Sequence, residues 1–171
     1  MKSVLAASLF LIGGCAAASA QNPMAEGQKF LDEMVKNNIL RSAGKMPEEN
    51  YSFRPTPEVR SFGQLLGHIA DAQYLFCSAV VGKPNPAPGI EKTKTSKADL
   101  VAALKEAFAD CDPAFAGLTD AQLAEKVKFF GREHTKATVL SFNTAHNNEH
   151  YGNIVTYLRM KGIVPPSSER R

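Results

Sequence analysis

Apolar side chains return every three or four residues along four stretches of this chain, and over no useful length do they alternate one for one with polar ones. The first spacing puts them on one face of an α-helix, whereas a half-buried strand needs a period of two. Between the stretches stand clusters of proline and glycine that a helix interior does not tolerate. The expected fold is therefore all-α: a four-helix bundle in which each apolar stripe turns toward the others. At 171 residues and 44% hydrophobic content, one domain with its own core is expected, not a disordered chain. Three cysteines are too few for a disulfide scaffold of this length.

The first stripe runs from Pro23 to Ala43 through Phe30, Leu31, Met34, Val35 and Ile39, and Gly44 and Pro47 end it. An extended connector follows, with prolines at 47, 55 and 57. Ser61 suits the N-cap of a second helix reaching about Val81, with Leu65, Leu66, Ile69, Ala72, Leu75, Phe76 and Val80 inward. The run Gly82 to Gly89 breaks it, and Ser96 caps a third helix through about Cys111, where Pro113 would kink or stop it. Thr119 to Val127 offers a short helical piece, Gly131 to Lys136 reads as a loop, and a last helix spans about Ala137 to Lys161 before Gly162 and Pro165-Pro166. The connection between helices two and three is long for a hairpin, so these two are expected to run parallel through a crossover.

Residues 1–20 have the pattern of a secretory leader: Lys2, an apolar core from Val4 to Ile12, and Ala18-Ser19-Ala20 as a small-x-small cleavage site. Export to the periplasm or beyond is expected, with residues 21–171 as the mature bundle and no stable membrane span after cleavage. Ile12-Gly13-Gly14-Cys15 is a weaker lipobox-like alternative that would lipidate Cys15. A formal charge of +3 without a long basic run is too small an electrostatic footprint for dedicated nucleic-acid binding.

Two of the four histidines, His146 and His150, are spaced i, i+4 on the last helix and share a face with Val139, Asn143, Asn153 and Tyr157, while Thr144, Asn148 and Arg159 point away. His68 lies on the inward side of helix two beside Leu65, Ile69 and Ala72. Neutral imidazole is a ligand for zinc, nickel, iron or copper. Two imidazoles one turn apart and a third from a facing helix would leave a coordination position open, as catalytic sites do. His134 reads as an exposed loop residue. Asn147 stands where a zincin protease has its glutamate, which disfavours that chemistry.

The connector Met46-Pro47-Glu48-Glu49-Asn50-Tyr51, the stretch from Ser61 through Gly67-His68-Ile69-Ala70-Asp71, and the late His146-Asn147-Asn148-Glu149-His150 occur in that order. Together they strongly resemble the DinB-like superfamily, from about Ala25 to Val164. The resemblance implies a bundle with a crossover and a divalent metal ion, variously zinc, nickel or iron, held by His68, His146 and His150. It also implies relatives that include thiol-dependent transferases and isomerases. An exported location departs from those cytosolic thiol enzymes.

Asp71, one turn after His68, and Glu149, which flanks His146, are the candidate catalytic carboxylates, placed to orient an imidazole or accept a proton. Tyr74, Asn143, Asn153 and Tyr157 either line a pocket or serve as bundle polars. Cys77 and Cys111 fall at the same end of the bundle if helices two and three are parallel, as a disulfide or as two free core thiols. Two functional classes follow. One is a metal-dependent hydrolase or small-group transferase acting on a small-molecule substrate. The other is a non-catalytic metal- or small-ligand-binding bundle; pairing into a homodimer through exposed helix faces is a third, weaker option.

Overall fold

The computed structural model describes residues 22–169. The expected leader, its cleavage site and Cys15 lie outside them. Four long helices, α1 (Pro23–Lys45), α2 (Phe62–Val81), α4 (Lys97–Ala116) and α6 (Lys136–Met160), make the bundle. Their starts follow from local chemistry. Ser61 accepts from the Gln64 N–H while the Gln64 side chain accepts from the Ser61 N–H, and Ser96 and Thr135 accept from the N–H groups of Asp99 and Thr138. Gly82, with φ of 71°, closes α2 in the left-handed region. α4 continues through Pro113 to Ala116, because Ala114 and Phe115 beyond the proline are buried.

α2 and α4 run parallel, as the long connection between them predicts. Gly63 lies against Leu100 at one end, and a disulfide joins Cys77 to Cys111 near the other, with Cα atoms 5.3 Å apart. α1 and α6 run the opposite way. Gln28 donates to Ser141 near their starts, and Lys45 donates to the Val164 carbonyl beyond their ends. The crossover carries a short helix, α3 (Ile90–Thr93).

Between α4 and α6, the expected helical piece shrinks to α5 (Asp120–Leu123). The stretch expected to be partly helix and partly loop is an antiparallel hairpin, β1 (Lys126–Phe129) and β2 (Arg132–Thr135). Each strand has four residues, too short for alternation to register against a helical pattern.

The buried face of α1 also differs from expectation. Val35 and Ile39 are buried, but Phe30, Leu31 and Met34 are exposed. The stripe that meets α4 and α6 is Ala25, Asp32, Val35, Ile39 and Ser42, which keeps helical spacing with small and polar members. On α6, Thr144 is buried rather than outward, because helices flank α6 on two sides. The core falls into two apolar clusters. One contains Leu66, Leu104, Phe108 and Ile154, and the other Phe76, Phe115, Leu123 and Leu140. No described helix is long and apolar enough to cross a membrane.

Candidate metal centre

α2 presents His68, and α6 presents His146 and His150 one turn apart, so antiparallel packing of two helices brings three imidazoles to one point. One ligand atom from each lies within 4.8 Å of the others. Nε2 of His146 is 3.1 Å from Nε2 of His68 and 3.0 Å from Nε2 of His150. Burial holds all three rings below the ordinary histidine range. It takes His146 to about 4, with help from His68, and His150 to about 3, with help from His146 and His68. For His68, the Arg60 guanidinium adds to the lowering while Glu91 opposes it.

The three rings are therefore neutral at pH 7, and their lone pairs compete for one small space. A shared proton can bridge only one pair of nitrogens. A cation serves all three at once, and borderline imidazole nitrogen suits zinc, nickel or iron. The residues present thus fit the divalent ion that the family resemblance implies.

Glu91 completes the arrangement and was not legible in the sequence. Its Oε2 lies 3.3 Å from Nδ1 of His68, and its Oε1 accepts from Nε of Arg60 at 2.9 Å. A carboxylate on the far ring nitrogen keeps the proton at Nδ1 and turns the Nε2 lone pair toward the other two imidazoles. Two contacts hold Glu91 there. Asp71 accepts from the N–H groups of Ile90 and Glu91 at 2.8 and 3.0 Å, anchoring the first turn of α3 on α2. Gly67 lets α3 come close, since a Cβ at that position would stand 2.6 Å from Cα of Glu91. Asp71 therefore bears on the centre through α3, because its carboxylate bonds to backbone N–H groups rather than to an imidazole. Glu149 is exposed and lines a cleft of about 530 Å³ with His150, Arg60, Asn153 and Tyr157. The Nδ1 atom of His150 has no hydrogen-bond partner among the described residues, whereas the Asn147 side chain interacts with His146.

A second cavity, about 450 Å³, meets the centre at His68 and His146 and is walled by Leu75, Phe76, Phe130 and Phe142. Glu91 lines both spaces. The imidazole cluster thus has an apolar side and a polar side.

The remaining candidates separate. Asn143 is fully buried and donates to Oε1 of Gln73 and toward the sulfurs of Cys77 and Cys111. Gln73 also donates to Asn147, forming a buried amide set. Gln73 was missed, although a glutamine interrupting the apolar stripe of α2 was a usable signal. The Tyr157 hydroxyl donates to the Arg60 carbonyl, and Tyr74 packs on the core. His134 sits on β2 opposite Val127, half-buried rather than in an exposed loop, and does not join the histidine group.

Residues 32–154 match the family model described as the DinB superfamily. The chain is 28% identical over 136 residues to the uncharacterized protein YjoA of Bacillus subtilis, covering 78% of this chain and 86% of that protein. Among solved structures, a DinB-like protein from Bacillus cereus matches with a TM-score of 0.73 at 20% identity, covering 82% of this chain and 95% of that one. The YjoA structure matches with a TM-score of 0.66 at 26% identity, covering 88% and 100%. A mycothiol-dependent maleylpyruvate isomerase shares the fold at 14% identity with a TM-score of 0.63, over 76% of this chain and 60% of that one.

Proposed function

This chain belongs to the DinB superfamily, and on that premise we propose that it is an exported metal-dependent enzyme. In this reading His68, His146 and His150 hold one divalent ion, zinc, nickel or iron, and a small-molecule substrate undergoes hydrolysis or transfer of a small group. The observation that carries the reading is the convergence of three neutral imidazole nitrogens within 4.8 Å. The chemistry such an ion supplies is Lewis acidity, which polarises a substrate oxygen or lowers the pKa of a water or thiol.

The chain's own residues do the rest. Glu91 keeps the proton of His68 on Nδ1, and Asp71 keeps Glu91 in reach by holding α3. Glu149, on the polar cleft beside His150, is the carboxylate free to take up a proton. The cavity walled by Leu75, Phe76, Phe130 and Phe142 offers an apolar surface on the other side of the cluster. Group transfer stands beside hydrolysis because the same fold carries thiol-dependent isomerisation in a protein of similar structure. Export, to the periplasm or beyond, is supported by the leader pattern of residues 1–20 and by the Cys77–Cys111 disulfide, which suits an oxidising compartment.

The test is metal analysis of protein purified without an affinity tag, wild type against His146→Ala, with thermal melts of both. Stoichiometric metal in the wild type after reconstitution, its loss in the variant, and little change in melting temperature between the metal-free forms are expected. A wild type that takes up no stoichiometric metal overturns the reading. Collapse of the variant's stability assigns the centre a structural role instead.

A further inference from the structure

Phe130 occupies a backbone conformation that its side chain should avoid. In the turn between β1 and β2 it has φ of +47°, and Gly131 after it has φ of +76°. Two successive positive φ values mark the tight hairpin turn that ordinarily selects Asn-Gly. Burial does not account for a phenylalanine here, because Phe130 is 66% exposed. A strained residue that gains little from the core points to a contact made outside the free protein.

The ring has a definite place. Phe130 lies 6.3 Å, centroid to centroid, from Phe142, which lies 5.3 Å from Phe76, which in turn lies 5.6 Å from the imidazole of His146. The first two pairs are edge-to-face. A file of rings thus leads from the hairpin tip to the histidine cluster along one wall of the 450 Å³ cavity. That volume lies within the range of small-molecule sites. The charged groups of its lining, Asp71, Glu91 and Lys92, all belong to α2 and α3.

We propose that this cavity receives the aryl portion of the substrate, a small molecule carrying an aromatic ring at one end and a polar group that reaches the imidazole cluster at the other. Phe130 is the specificity residue, retained in a strained turn because its ring and that of Phe142 offer edges and faces to the incoming ring. The proposal rests on the open-centre reading above and specifies the class of substrate.

The test compares acetohydroxamate and benzohydroxamate, which share a metal-binding group and differ in the ring, on zinc-loaded wild type and Phe130→Asn. Asparagine suits the turn, so the variant should melt at the same temperature or higher. Wild type should bind benzohydroxamate at least about tenfold tighter than acetohydroxamate, as burial of a ring implies. In the variant that ratio should fall toward one. Equal affinities in the wild type, or an undiminished ratio in the variant, overturn the proposal and leave the metal centre standing. If neither compound binds the zinc-loaded protein, the open-centre reading fails, and 2-naphthol fluorescence on the metal-free protein decides the cavity. A blue shift in wild type that is absent from Phe130→Asn supports it, and no shift in the wild type overturns it.

Discussion

At His68 the two ring nitrogens have different neighbours: Nε2 faces another imidazole and Nδ1 faces the Glu91 carboxylate. That asymmetry selects the tautomer and orients the ring, work that His150 must leave to packing, since its Nδ1 atom has no partner among the described residues. Glu91→Gln removes the charge and keeps the shape. It should weaken zinc affinity by roughly 10- to 100-fold, the usual effect of losing a carboxylate behind a ligating histidine. Competition titration against a chelator reads this directly, and a fully retained affinity would remove Glu91 from the centre. Glu91 was invisible in the sequence because it follows a run of breakers, on a helix of four residues, where no periodicity can point at a partner. His146 and His150 were legible because one helical turn fixes their relation.

Among the elements, α2 and α4 are tied by the Cys77–Cys111 disulfide, with a sequence separation of 34 residues. In the loop-entropy model, closing a loop of that length stabilises the fold by about 3–4 kcal/mol. Urea denaturation of oxidised and fully reduced protein should differ by about that amount at neutral pH, with the oxidised form more stable. Coincident curves would mean that the bundle does not depend on the crosslink. The parallel course of these helices was readable from the length of the crossover, but the pairing of the cysteines was not, since spacing along the chain says nothing of the distance between two Cα atoms on separate helices. α1 teaches the converse lesson. It carries a second apolar stripe at Phe30, Leu31 and Met34 that is bulkier than the one it buries. The helix turns its smaller stripe inward because α4 and α6 must both approach it.

For the molecule as a whole, stability against pH reflects two opposed sets of buried groups. The three histidines have folded pKa values depressed below the ordinary 6.5, to about 4 and about 3 for His146 and His150. Their contribution is complete above pH 6.5 and is lost as pH falls toward the folded values, where the unfolded chain binds more protons. Asp32, buried on α1, behaves oppositely. Burial raises its pKa from 3.8 to about 7, against the nearby Lys36, so its contribution is complete below 3.8 and is lost as pH rises through about 7. Metal-free protein should therefore lose stability between pH 6.5 and 4. Asp32→Asn should steepen that loss and gain stability at pH 8 relative to wild type. Chemical denaturation across a pH series checks both. A stability that rises steadily as pH falls from 6.5 to 4 would contradict the neutral, desolvated histidines.

What the sequence determined by itself is what neighbours along one helix can settle. It specified the number of the long helices and the extent of all but α4, which runs on past Pro113, together with the caps at Ser61 and Ser96 and the shared face of His146 and His150, because capping and the 3.6-residue period act within a few residues. Tertiary structure alone decided which stripe of α1 is buried, which carboxylate backs His68, how Cys77 meets Cys111, and that Phe130 stands at the rim of the apolar cavity. Each of those depends on the separation of two elements in space, and that separation is set by the packing of every side chain between them.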